Sequence, residues 1–503
     1  MSTTIQQSIY RPRRLALLWM APVQAAGLFT VWAIASGGQT LRAWILTALL
    51  WLMTLPLLVS LESTLIAMML FEPVRGLIRR AQYLIVNYSG EDPIHLVTPI
   101  ATIMALAVLL RTQRLNIFRA TPLAGFVSLL GLIFFLEIFN PIQGSVFVGM
   151  SGALFMLMPL VWFYFGQSAS ERFIHAALRL VVFVGIVASL YGVYQLNFGY
   201  PSFEQYWIDN TDFYSSIAVG HVTRALATFS SAEEWGRYTE IGSIVALGFA
   251  IGARRLAVRI GWLVCALASL GAVLLSGQRT AVFGLMVGVV TLILLGARTL
   301  QGAVARLALL LLPAVLVVVF VTPPANDEVG SKDENQTVTT LLTHTQRGTL
   351  KPAQEESLQV RLENWTYLVT SVIPYRPLGA GLGTGSLSDL RSKGESELPP
   401  IDSFILVLAI ACGIPGALLF LWILSRATWL SVRTTRRTTP DGTPKATVNR
   451  IAAALMPALI LNSMFGLTFT IYSVAPVAWL LIGWISAEAA KADSGDEREI
   501  LTF

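Results

Sequence analysis

The sequence predicts an all-α polytopic membrane protein of about 12–14 transmembrane helices. Three observations lead there. The 503 residues are 55% hydrophobic and only 13% charged, with a mean hydropathy of +0.66, whereas soluble domains carry about 25% charged residues. Apolar runs of about 18 residues or more, long enough to cross a bilayer core, recur along most of the chain. Lys and Arg gather in a few short connections, the mark of cytoplasmic loops. The net charge of +6 therefore follows from membrane topology and does not call for nucleic acid.

The spans read, in order, as 15–36, 42–70, 94–110, 121–139, 146–166, 174–197, 236–252, 257–275, 280–297, 303–321, 401–425, 448–466 and 469–488. Three basic connections set the orientation: Arg254, Arg255 and Arg259; Arg298 and Arg306; and Arg426, Arg433, Arg436, Arg437 and Lys445. They share a side when 199–235 and 322–400 lie opposite. The first 120 residues leave one crossing unaccounted for. Counting back from the second half puts Arg111, Arg114 and Arg119 in the cytoplasm. Counting forward from a cytoplasmic N-terminus, with one span at 42–70, puts them outside. The stretch 60–90 holds either a second helix or a basic amphipathic helix at the interface.

This divides the chain into N-terminal spans at 1–198, a central part at 199–425 containing the large loop 322–400, and C-terminal spans with a polar tail at 426–503. Within the loop, Leu358, Leu362, Trp365, Leu368, Val369 and Val372 recur at helical spacing, and Pro374 and Pro377 end the pattern. An amphipathic helix is expected there. Cys265 and Cys412 each lie inside an apolar run. They offer neither a disulfide framework nor a thiolate metal site.

The chemistry-bearing residues fall on the outer side. Arg224, Arg279 and Arg361 are out of place there, since positive charge concentrates inside. Taken singly, each fits a snorkelling anchor. Together they fit a phosphate site, because a guanidinium stays charged and binds phosphate through two parallel N–H donors. Asp402 opens an apolar run. It fits a helix N-cap and also a general base for an incoming hydroxyl. The string RPLGAGLGTG at 376–385 lacks the Lys of a nucleotide-binding P-loop. Gly379, Gly381 and Gly383 there make either a close-packed turn or a wall of bare N–H groups. His221, close to Arg224, and Trp365 complete the candidates. Glu233, Glu234 and Glu240 cluster in sequence, but a metal site would require them to converge.

The ordered set resembles the bacterial O-antigen polymerase and O-antigen ligase superfamily. The matching pieces are RALATF at 224–229, SGQRTA at 276–281, Arg361 to Trp365, PLGAGLGTG at 377–385, and Asp402-Ser403 followed by Gly413-Ile-Pro-Gly416. FNPIQGS and SLYGVYQLNFGYPSFEQYW in the 140–210 region resemble the branch that serves exopolysaccharide assembly. The resemblance implies a GT-C-like membrane fold and a glycosyltransferase that uses neither metal nor cofactor. The implied donor is an undecaprenyl-pyrophosphate-linked oligosaccharide and the acceptor a glycan, with membrane lipid around both and a chain-length regulator as a further partner. It places the protein in the bacterial inner membrane with its active site facing the periplasm. Carried over, Arg224 and Arg279 join Asp402 as catalytic residues, and Arg361, Trp365, His221, Gly379, Gly381 and Gly383 bind substrate. The ligase branch has His where this chain has Asp402, which favours a polymerase. A ligase is the alternative reading, and a transporter the remaining one, with Glu62 and Glu137 as its interior acids.

Overall fold

The computed structural model describes residues 40–85, 92–118, 121–211, 218–219, 222–296, 356–384, 398–399, 401–437 and 443–494, with residues 27, 301 and 302. Nearly all of the expected span at 15–36, the span at 303–321, His221, Gly385 and most of the 322–400 loop lie outside these residues. The described helices are α1 Thr40–Thr54, α2 Leu61–Gln82, α3 Val97–Gln113, α4 Ala124–Glu137, α5 Val146–Leu160, α6 Trp162–Ser168, α7 Glu171–Phe198, α8 Ser202–Asp209, α9 Ala232–Gly252, α10 Leu256–Leu275, α11 Arg279–Gly296, α12 Glu356–Tyr367, α13 Phe404–Ala411, α14 Gly413–Arg437, α15 Pro444–Met464 and α16 Ala475–Ser494. The strands among them are β1 Ala218–Val219 and β2 Val222–Thr223, an antiparallel pair. Among the described residues, six helical stretches are long and apolar enough to cross a membrane: Pro93–Phe118, Val146–Ser168, Glu171–Phe198, Leu256–Leu275, Arg279–Gly296 and Gly413–Arg437. The chain is an all-α polytopic membrane protein.

The expected single span at 42–70 does not form. Pro56 lies in a short 3-10 turn after α1, where it has no N–H to continue the helix. Ser60 then starts α2 afresh, its side chain accepting from the Ser63 N–H at 3.0 Å as an N-cap. The 22 residues of α2 rise about 33 Å, enough to cross. At the start of α2, Glu62 accepts from the Ser170 N–H at 3.2 Å. Ser168 Oγ donates to Gln113 Oε1 at 3.1 Å, close to Arg111 and Arg114. The start of α2 and the end of α3 thus share one end of the bundle. The same end holds the Arg433–Asp493 and Lys445–Glu488 ion pairs, at 2.7 and 2.8 Å. The stretch 60–90 thus holds a second helix, running from that end of the bundle to the other.

The expected span at 401–425 is also two helices. Phe404, at the start of α13, packs edge to face with Phe420, seven residues into α14, with ring centroids 5.1 Å apart. The two helices therefore form an antiparallel hairpin with its tip at Cys412–Gly413. Gly413 has φ +71, which L side chains avoid. The tip leaves helix-end carbonyls without partners, and the glycine string fills them. The Ala380 N–H donates to Ile410 O at 2.8 Å and the Gly381 N–H to Ala411 O at 3.2 Å, while the Ile414 N–H donates to Pro377 O at 3.0 Å.

At the centre stands α9, buried on almost every face and packed against α7, α10, α11 and α15. A helix so placed is expected to be apolar throughout. This one carries charge and therefore needs internal partners. Glu240 accepts both oxygens' worth of hydrogen bonds from Asn462 Nδ2, at 2.7 and 2.9 Å. Gly284 of α11 makes room, since a methyl there would overlap Glu240 Oε1.

These contacts predict that Gly413→Ala, combining a strained φ with overlap of Pro377 O, lowers stability by about 1–3 kcal/mol. Gly271→Ala, with nothing within 4 Å of the new methyl, leaves it unchanged or slightly raised. Thermal unfolding in detergent checks both.

Candidate active site

The arginines expected at one site do come together. Arg224 follows β2, Arg279 opens α11 and Arg361 lies in α12. Burial pulls the Arg224 guanidinium below the usual arginine range, and the nearby charges of Arg279 and then Arg361 push it the same way; Glu233 opposes them. Arg224 Nε is buried with no hydrogen-bond partner among the described residues. Positive groups held this close raise one another's energy, and an anion between them removes the penalty.

Asp402 joins the cluster through Arg361, whose Nε lies 2.9 Å from Asp402 Oδ2. The helix cap expected of Asp402 is supplied by its neighbour instead. Ser403 is the N-cap of α13, its Oγ accepting from the Leu406 N–H at 3.4 Å. Asp402 lies one residue outside the helix, and its carboxylate is left for the site. Its side chain is 43% exposed and that of Arg361 42%, so solvent screens the pair and it contributes about 0–1 kcal/mol.

Two further residues belong here that the sequence reading did not assign. Arg237, one turn into α9, is buried. Its Nε lies 3.2 Å from Glu233 Oε1 and its NH2 donates to Thr280 Oγ1 at 2.9 Å, next to Arg279. Gly466 faces both Arg237 NH2 and Glu233 Oε1, and a methyl there would collide with them. The Gly466 carbonyl in turn accepts from the Phe404 N–H at 3.1 Å, which ties the start of α13 to the same spot. The N-terminal ends of α9, α11 and α13 therefore meet at the arginines. Each brings the positive end of a helix dipole. The signal for Arg237 was in the sequence, four residues after Glu233, a helical ion-pair spacing.

Trp365 lies one turn after Arg361 in α12. Its ring packs on Phe465, with centroids 5.6 Å apart, and its indole N–H is buried without a hydrogen-bond partner among the described residues. Leu368 and Val372 of the expected apolar face are buried, while Leu362 and Val369 stay exposed; the Leu358 side chain lies outside the described ones. The helix is seated by the end holding Trp365 and Leu368.

The glycines do something other than bind phosphate. The Gly379 N–H donates to Arg376 O at 3.0 Å and the Leu382 N–H to Glu137 O at 3.1 Å. The Gly383 N–H donates to Gln143 Oε1 at 3.0 Å. With the Gly381 N–H on Ala411 O, every donor of the three glycines is engaged inside the fold. A methyl on Gly383 would overlap Val148 O. The string is a close-packed wedge between the α13–α14 tip and the end of α4.

The acidic residues of α9 diverge. Glu233 faces Arg237, Glu234 accepts from the Ser230 N–H at 3.0 Å and from Ser473 Oγ at 2.7 Å, and Glu240 faces Asn462. Among the described residues no three His, Cys, Asp or Glu side chains gather as a metal site would require. The acids of the transporter reading are occupied in structure: Glu62 takes Ser170, and Glu137 accepts from Asn140 Nδ2 at 2.7 Å.

Residues 264–421 match the family model described as O-antigen ligase. None of the curated proteins matches the chain. The matched stretch holds Arg279, Arg361, Asp402 and the glycine wedge, while Arg224, Glu233 and Arg237 precede it in sequence. The match supports the O-antigen ligase and polymerase superfamily for this chain, and with it a glycan-processing enzyme that acts on lipid-linked glycans.

The capping geometry predicts that Ser403→Ala lowers stability by about 1 kcal/mol. Asp402→Asn is expected to leave it within about 1 kcal/mol of wild type. Thermal unfolding of the two purified variants separates the cap from the site carboxylate.

Proposed function

We propose that the protein is a glycan polymerase working at the periplasmic face of the bacterial inner membrane. It transfers an oligosaccharide from undecaprenyl pyrophosphate onto the non-reducing end of another lipid-linked repeat. The observation that carries this reading is the charge of the cluster. The guanidiniums of Arg224, Arg237, Arg279 and Arg361 face the carboxylates of Glu233 and Asp402. Guanidiniums gathered this closely favour a doubly charged anion, such as a pyrophosphate esterified at both ends.

The donor carries its own activated leaving group, so the protein supplies position and charge. Arg224, Arg279 and Arg361 hold the pyrophosphate through its oxygens, and Arg237 adds its field from one layer behind. The Asp402 carboxylate takes the proton of the acceptor hydroxyl. The acceptor oxygen bonds to the anomeric carbon as that carbon's bond to the pyrophosphate breaks, and the electron pair leaves on the phosphate oxygen. Negative charge grows where the guanidiniums and helix ends point. Trp365 offers an aromatic face and an indole N–H to the sugar.

Asp402 in place of the His of the ligase branch supports polymerase over ligase. Product size distinguishes them, because repeated transfer gives a ladder and single transfer one fixed increment. Purified protein given the host's lipid-linked oligosaccharide alone is expected to yield a ladder on a gel. Arg279→Ala is expected to slow it by about 10²–10³-fold, the loss typical of one transition-state donor, and Asp402→Asn to abolish it. A fully active Arg279→Ala enzyme would overturn the assignment, and a single increment would turn it to a ligase.

A further inference from the structure

One buried charged network lies outside the cluster and is not used by the chemistry above. Arg80, in the last turn of α2, and Glu204 of α8 are 1% and 0% exposed. Arg80 Nε lies 2.6 Å from Glu204 Oε1. The other two nitrogens leave the pair for the backbone of the Arg224 segment, NH1 donating to Phe229 O and NH2 to Ala227 O, both at 2.5 Å. Glu204 Oε2 accepts from Tyr191 Oη and Gln195 Nε2, each at 2.8 Å. Gln195 Oε1 then accepts from the N–H groups of Ala227 at 2.7 Å and Leu226 at 3.2 Å. Tyr200 Oη donates to the carbonyl of Arg224 itself.

The segment also enters the helix ladder of α2. Thr228 Oγ1 donates to Pro73 O at 2.7 Å, and the Leu77 N–H donates to Thr228 O at 2.9 Å. Pro73 and Leu77 are an i, i+4 pair, so Thr228 is spliced between them. Gly76 permits this approach, since a methyl there would overlap the Phe229 carbonyl. Ala227 adopts φ +51, a conformation a non-glycine residue holds only when its surroundings impose it. Here Arg80 grips its carbonyl and Gln195 its N–H.

We propose that Arg80 and Glu204, partly through Gln195, and Tyr200 directly, are positioning residues that hold Arg224 at the anion site. The proposal rests on the reading of Arg224 as a pyrophosphate ligand given above. A buried ion pair is a poor source of net stability against apolar packing. As a clamp it has a use that apolar side chains lack. It fixes a short irregular segment by its carbonyls and N–H groups, and Arg224 projects from the end of that segment. The preorganisation of Arg224 then depends on groups that never touch substrate.

A double-mutant cycle tests this. Full-length protein in lipid nanodiscs is titrated with inorganic pyrophosphate as wild type, Glu204→Gln, Tyr200→Phe, Arg224→Ala and the two double variants, with thermal midpoints recorded alongside. Tyr200→Phe removes one hydroxyl and keeps the argument testable where Glu204→Gln fails to fold. Glu204→Gln is expected to weaken pyrophosphate by about tenfold or more, and Tyr200→Phe by about three- to tenfold. In the Arg224→Ala background neither is expected to weaken it further, while each still lowers the thermal midpoint. Wild-type affinity in both single variants, or an equal loss with Arg224 already removed, would overturn the positioning role. Wild type that binds no pyrophosphate would overturn the reading of Arg224 itself, and the proposal with it.

Discussion

A guanidinium taken out of water must be met by oxygen, and one end of this bundle is arranged around that requirement. Arg80 finds a carboxylate and two backbone carbonyls. Arg237 finds Glu233 and Thr280. Arg80 is met at every nitrogen, whereas Arg237 keeps Nη1 buried with no hydrogen-bond partner among the described residues; both tie together the elements around them. Arg224 and Arg361 are treated differently. The first has a buried nitrogen without an oxygen partner among the described residues, and the second is matched only by a half-exposed carboxylate. The contrast is sharpest between Arg80, which the fold satisfies at every nitrogen, and Arg224, which it does not.

The same contrast explains which helices bear charge. α3, α7, α10 and α11 are apolar over a membrane's width, and what α7 and α11 give to the polar networks comes from near their ends, Tyr191 and Gln195 late in α7 and Thr280 at the start of α11. α2 and α9 carry buried Glu and Arg. An intramembrane charge is costly unless paired, so each of these two helices is tied to partners that also shape the site. α9 brings Glu233 and Arg237 to Thr280. α2 brings Arg80 to the segment bearing Arg224.

Much of this was legible in the sequence. The apolar runs gave α3 to α7, α10 and α11, and the misplaced arginines named a site that the structure brings together. Where the reading went astray, the cause was tertiary. Pro56 and Ser60 marked the break between α1 and α2, but the apolar run through 42–70 concealed it. Nothing near Gly413 distinguishes a hairpin tip from a bend, because the donors that make the tip tolerable, Ala380 and Gly381, come from another segment. Ser403 and Asp402 both suit an N-cap, and only the ion pair to Arg361 shows which of them serves. The partners of Arg80 lie far along the chain, at Glu204, Ala227 and Phe229, beyond the reach of any local pattern.

The glycine wedge has a consequence for how such a protein diversifies. The chain is pinned at Thr384, whose hydroxyl donates to Ala380 O at 2.6 Å, and again where Ser403 caps α13. The string ahead of Thr384 is held by backbone contacts at the α13–α14 tip. A methyl on Gly379, Gly381 or Gly383 would meet Ala411 O, Gln143 Oε1 or Val148 O. Diversification is therefore shut out of these three positions.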